Sequence, residues 1–240
     1  MSPTGLSIFL GTDRKLVVYS CRFQGQDYLN LVAAVPDHGL SEISQESWYA
    51  PGKVEELQSA FQDFAPKLIR LLSYVKECGL WQLRDQDPLE AWVKERAIII
   101  GDAAHPMTPH LGQGGSQAIE DADMLAYTLS GLDSSSSAAK INEALQRTFA
   151  LRYERATMCQ ERSREQAFGK RSVQLQSINA MPSLNPMQFA DYTFSYKGAK
   201  WWAEQQEAKK NGSIDDDSSS TEDKVSDAYP LDVIPELRTV

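Results

Sequence analysis

Asp102 follows a glycine at the end of a short apolar run, Ala97-Ile98-Ile99-Ile100-Gly101. A carboxylate at the carboxyl end of a buried strand stands where open α/β sheets bind ligands, and it can accept hydrogen bonds from sugar or polyol hydroxyls. Gly112, Gly114 and Gly115 come next, with Gln113 between them. Without a Cβ in the way, a ligand can approach such a backbone closely. A helix is expected to begin near Ser116, so its free N–H groups and positive dipole end would face an electron-rich group. The bland alternative is that Asp102 caps a turn and the glycines only bend the chain. Strand, carboxylate, glycine loop and helix in this order favour a ligand site.

Other groupings are weaker. Asp102, His105 and His110 are possible metal ligands, but Pro106 and Pro109 prevent the regular helix that would bring both histidines to one face. Ser116, His105 and Asp102 lack the G-x-S-x-G elbow of a serine hydrolase. Arg22 reads as an exposed strand residue rather than an anion contact, and Trp201-Trp202 as hydrophobic anchors.

Several elements must position these residues. Leu6 to Leu10, Leu16 to Phe23 and Tyr28 to Val35 read as a β-meander, with turns at Gly11-Thr12-Asp13-Arg14 and Gly25-Gln26-Asp27. Val54, Leu57, Ala60, Phe61 and Phe64 recur at helical spacing. Pro66 opens a second helix, expected to run to Gly79. The run 97–100 predicts a strand buried on both faces. Ala118, Ile119, Ala122, Leu125, Ala126 and Leu129 mark an amphipathic helix whose apolar stripe should face a core. A serine linker, Ser134 to Ser137, leads to a long helix from Ala138 to about Lys170 carrying Ile141, Leu145, Phe149 and Tyr153 on one face. Residues 179–203 read as irregular. The expected class is α/β: a substrate-domain sheet with helices over 1–87, a strand, Gly-Asp loop and helix over 88–133, a helical segment over 138–205, and a tail over 206–240.

Composition sets the outer limits. Of 240 residues, 42% are hydrophobic and 24% charged, as in an ordinary globular protein. Lys plus Arg number 24 against 33 acids, a formal charge of −9 that argues against nucleic acid as a partner. Between Ser213 and Asp227 the net charge is −5 with almost no apolar residues, so a disordered tail is expected. No apolar stretch approaches the roughly 20 residues of a membrane span, and Met1 to Leu10 lacks the basic lead of a secretory signal. The three cysteines, Cys21, Cys78 and Cys159, suit reduced thiols, and a cytoplasmic location is expected.

The run from Gly101-Asp102-Ala103-Ala104-His105-Pro106 through Gly112-Gln113-Gly114-Gly115-Ser116 to Glu120-Asp121-Ala122 closely resembles the second FAD-binding motif of the single-component, FAD-dependent aromatic hydroxylases. The likeness is greatest to the salicylate-hydroxylase-like branch found in fungal secondary metabolism. It extends through Gly11-Thr12-Asp13-Arg14, Leu16-Val17-Val18-Tyr19 and Trp81-Gln82-Leu83, over roughly residues 5–175. The resemblance implies that Asp102 binds the ribityl hydroxyls of FAD, and that Gly112, Gln113, Gly114 and Gly115 form the loop against the pyrimidine end of the isoalloxazine. It also implies NAD(P)H as co-substrate, O₂-dependent hydroxylation of an aromatic or polyketide-like small molecule, and a substrate-facing role for Tyr19, for which simple packing on the strand is the alternative. The family's opening G-x-G-x-x-G unit and its Asp-Gly motif have no counterpart here. The expectation is therefore the carboxyl-terminal part of a hydroxylase of about 400 residues, judged by such two-domain proteins. The competing class is a non-catalytic remnant or binding module, either inert or complementing a partner that carries the missing half.

Overall fold

The computed structural model describes residues 5–36, 50–84, 86–168 and 186–211. Two compact units divide the chain, Met1–Leu83 and Arg84–Val240.

In the first unit, β1 (Leu6–Leu10), β2 (Lys15–Phe23) and β3 (Gln26–Ala34) form an antiparallel sheet in chain order. The β2–β3 loop is Gln24-Gly25, one residue earlier than the sequence suggests. Both residues have positive φ, +49° and +79°, as the tightest hairpin turns require. Two short helices, α1 (Val54–Ala60) and α2 (Pro66–Leu72), cover one sheet face. Leu16 and Val18 meet Phe61, Leu68 and Leu72 there in a closed core. Pro66 occupies the first turn of α2, where a missing N–H costs nothing. That helix ends at Leu72 rather than at Gly79. Val75 still packs on the core, but Cys78–Gly79 forms β5, paired with β4 (Pro51–Gly52).

Tyr19 stands opposite Leu6 on β1 and Asn30 on β3. Strand alternation places it on the face turned away from Leu16 and Val18. Leu6, Ile8, Leu10 and Val32 share that face and are exposed, Leu10 at 76%.

In the second unit, β6 (Val93–Lys94) and β7 (Ala97–Ile98) make a small hairpin. The expected buried strand over 97–100 is thus corrected. Only Ala97 and Ile98 pair, and Ile99 is 40% exposed, because among the described residues no strand flanks the other edge. A 3-10 turn at Gly101–Ala103 and another at Pro109–Leu111 lead into α3 (Gly114–Leu129). α4 (Ala138–Phe168) follows, then α5 (Pro186–Phe194) and α6 (Ala199–Lys210). The described part of the segment expected to be irregular is therefore mostly helical, and the expected boundary at residue 206 falls inside α6. Ala199, Trp202 and Ala203 of α6 pack on Met124 and Leu151. The acidic stretch after Asn211 and residues 179–185 lie outside the described residues.

The orientation of α3 reverses the expectation drawn from its composition. Its buried residues are Gln117, Glu120, Asp121 and Met124, while Ile119 is 72% exposed and Ala122 and Ala126 are exposed as well. The polar side turns inward because α4 presents two arginines, Arg152 and Arg155, that satisfy it fully.

Candidate flavin-binding site

Asp102 lies in the turn after β7, exposed, and among the described residues it has neither a hydrogen-bond nor an ion-pair partner. A Cβ at Gly114 would stand 3.8 Å from Asp102 Oδ1, so the first turn of α3 adjoins the carboxylate. No side chain caps that helix start, leaving the backbone N–H groups of its first turn for a ligand or solvent. Gly112 adopts φ +64°, a left-handed conformation that suits glycine. No atom lies within 4 Å of where a Cβ would sit at Gly112 or Gly115. Gln113 differs from its neighbours in being buried. Asp102 thus stands beside Gly114, and Gly112 and Gly115 leave the backbone on either side of Gly114 unobstructed. Tyr19 belongs to the other unit.

The loop between Asp102 and Gly112 is tied to α4. Thr108 Oγ1 donates to Ser163 O at 3.0 Å, Ser163 Oγ donates to Thr108 O, and Gln160 Nε2 donates to Pro106 O at 2.9 Å. His105 is 1% exposed beside the Trp92 ring. Its Nε2 is 2.7 Å from Asp121 Oδ2, an acceptor, so Nε2 carries the proton. A Ser116–His105–Asp102 arrangement does not form. Arg22 pairs with Asp27 on the strand surface at 2.7 Å.

Beneath the turn lies a buried ionic network that sequence reading missed. Arg155 grips Glu120 with two bonds, Nε to Oε2 at 2.6 Å and Nη2 to Oε1 at 2.8 Å. Arg152 donates through Nη1 to Glu120 Oε2 at 2.6 Å, through Nε to Asp121 Oδ1 at 2.8 Å and through Nη2 to Gln117 Oε1 at 2.6 Å. Arg155 also donates to Tyr192 O and Thr193 O, which anchors α5. Two carboxylates meet two guanidinium groups, so the interior is neutral. The signal that could have revealed it is the adjacent pair Glu120-Asp121 on one helix with Arg152 and Arg155 three apart on the next.

Burial raises the Asp121 carboxyl, but the His105 hydrogen bond and the Arg152 charge outweigh it and hold the group below its ordinary 3.8. A carboxylate depressed in the folded state stabilises in full above its unfolded value and loses that contribution as the pH falls through the folded one. Acid unfolding of the second unit should therefore begin as the pH drops below about 4, the unfolded carboxylate range. Asp121→Asn should be less stable at neutral pH but show a flatter acid limb, a comparison read from melts between about pH 5 and 2.5. Parallel acid limbs would remove Asp121 as the responsible group. Burial also pushes the Cys159 thiol up to about 12, so it is unreactive at neutral pH.

The family described as "FAD binding domain" matches residues 62–140, which include the Gly-Asp turn and all of α3. Hispidin-3-hydroxylase of Neonothopanus nambi is 34% identical over 120 residues, covering 50% of this chain and 28% of that protein. 6-Hydroxynicotinate 3-monooxygenase of Bordetella bronchiseptica is 34% identical over 133 residues, 55% of this chain and 34% of that protein. The chain is similar to FAD-dependent aromatic hydroxylases. Its fold agrees. A salicylate hydroxylase solved in complex with substrate superposes with a TM-score of 0.59 at 25% identity, over 86% of this chain and 46% of that one. The hydroxylase-like chain resembles CtdE, solved with FAD and a substrate, in fold alone, with a TM-score of 0.60 at 23% identity over 87% of this chain and 50% of CtdE. It spans about a third of the length of the curated relatives it matches and about half of those solved chains.

Proposed function

We propose that this chain forms part of an FAD-dependent monooxygenase that uses NAD(P)H and O₂ to hydroxylate an aromatic or other electron-rich small molecule. Asp102 and the segment Gly112, Gln113, Gly114 and Gly115 are its flavin contacts, Gln113 through its backbone. One observation carries the reading. An exposed carboxylate without a partner adjoins an uncapped helix start whose glycines place no Cβ in the way of a ligand.

The donor set suits FAD. A ribityl chain brings hydroxyls that donate to a carboxylate, and the pyrimidine end of the isoalloxazine brings carbonyl oxygens that accept from backbone N–H groups. The positive end of α3 would also favour the electron-rich groups of a bound flavin. Bound FAD would supply the oxidation chemistry. The chain's residues hold and orient it: Asp102 fixes the ribityl chain, and the glycines let the ring lie against the backbone. Tyr19, on the uncovered apolar face of the meander with Leu6, Ile8 and Val32, is the proposed substrate-facing residue. The names of the relatives support a ring-bearing substrate.

The contacts to the adenosine and diphosphate belong to a further portion of the protein or to a partner. Ile99, Ile119 and Ala122 are each exposed and offer that portion apolar side chains to cover.

Asp102→Ala tests the site. Removing a charge-assisted hydrogen bond of about 1.5–3 kcal/mol should weaken FAD binding roughly ten- to hundredfold. The titration is made with the remaining half of a hydroxylase supplied by fusion or co-expression. Because Asp102 is exposed and unpartnered, the variant should melt within about 0.5 kcal/mol of the parent. Undiminished FAD affinity would make Asp102 a turn residue only.

A further inference from the structure

Gly101 is the pivot of the turn that displays Asp102, and its conformation is held from outside the turn. Its φ is +59°, and a Cβ there would stand 3.3 Å from the Ala118 methyl. Its carbonyl accepts from both Ala104 N and His105 N, each at 2.9 Å, which closes the turn on itself. Its own N–H donates to Asp121 Oδ2 at 2.9 Å, the same oxygen that takes the His105 Nε2 proton at 2.7 Å. One carboxylate oxygen on α3 thus grips both ends of the turn, residues 101 and 105, with Asp102 between them. The other oxygen, Oδ1, is held by Arg152 Nε at 2.8 Å. Asp121, His105 and Arg152 are each no more than 1% exposed, so water does not compete for these bonds.

We propose that Asp121, steadied by Arg152, is the positioning residue that sets the Gly101–His105 turn and so aims Asp102 at a hydroxyl-bearing ligand. The inference rests on the flavin reading for the identity of that ligand, though not for the mechanics of the turn. Asp121 touches no ligand itself. It acts through the backbone of Gly101 and the ring of His105, which is why its loss should be felt at Asp102. A preorganised carboxylate accepts a hydroxyl without first losing conformational freedom, and a loosened one does not.

The test begins with hydrogen exchange on the full chain without flavin, comparing the parent with Asp121→Asn. The amides of residues 101–105 should exchange about tenfold faster in the variant, the effect of losing one buried hydrogen bond. Amides in the middle of α4 should change much less. Equal acceleration of the turn, α3 and α4 would mean that Asp121 only supports packing, and would overturn the proposal. FAD titration in the reconstituted form then compares Asp102→Ala, Asp121→Asn and the double variant. Asp121→Asn should weaken FAD about as much as Asp102→Ala, and the double variant should add little, because both act through one contact. Full additivity, or unchanged affinity in Asp121→Asn alone, would overturn it. If Asp102→Ala itself leaves FAD affinity intact, the flavin reading fails, and the exchange pattern alone decides whether Asp121 sets the turn. Should Asp121→Asn fold poorly, Arg152→Lys, which keeps the charge but loses the fork, should show the same localised exchange to a smaller degree, and uniform exchange there would overturn the proposal.

Discussion

Arg152→Ala should destabilise the second unit by about 3–5 kcal/mol, the cost of leaving buried charges without their partner. Three side-chain acceptors lose a donor at once: Glu120 Oε2, Asp121 Oδ1 and Gln117 Oε1. Arg155 still neutralises Glu120, but Asp121 keeps only Gly101 N–H and His105. Against a total stability of about 5–15 kcal/mol for a typical domain, that is a large share. Urea unfolding followed by tryptophan fluorescence reads it well, since Trp92, Trp201 and Trp202 all lie in this unit. A loss below about 1 kcal/mol, the size of an exposed ion pair, would mean that water reaches the network and the burial is not as drawn.

Trp202→Ala should cost a similar amount, about 3–5 kcal/mol for a buried aromatic. The ring is 6% exposed against Met124 and Leu151, and Nε1 donates to Leu151 O at 2.8 Å. Its face also lies 5.3 Å from the Arg155 guanidinium. Truncation therefore opens a cavity and removes a buried hydrogen bond and a cation–π contact together. The neighbouring Trp201 is only partly buried, so Trp201→Ala should cost clearly less. Equal losses from the two substitutions would show that α6 is not anchored through Trp202.

Where local chemistry decided structure, the sequence was readable. The meander followed from alternation and turn residues, α2 from its proline, and α4 from a long run at helical spacing. The Gly-Asp turn and the glycine loop were legible because few residue types can serve there. Asp102 and the loop glycines could be singled out without coordinates, and the structure sets Asp102 beside Gly114. The errors arose where a partner element decides. Ile119 and Ala122 look like core residues on a helical wheel, yet the hidden side of α3 is Gln117, Glu120 and Asp121. No single-helix pattern announces that choice, because it depends on Arg152 and Arg155 arriving from another helix. The run 97–100 misled for the same reason, since strand length is set by what pairs with it.

The neutral cluster of Glu120, Asp121, Arg152 and Arg155 has a bearing on how this protein can change over generations. Swapping a whole buried ion group for well-packed apolar side chains is often neutral or even stabilising. Reaching that sequence by single substitutions is another matter. Each first step strands a charge in the interior, and its remedy lies on a different helix more than thirty residues away along the chain. The four positions are therefore epistatically locked: drift at any one of them is penalised until a compensating change arrives, and the two helices can explore new sequences only in concert.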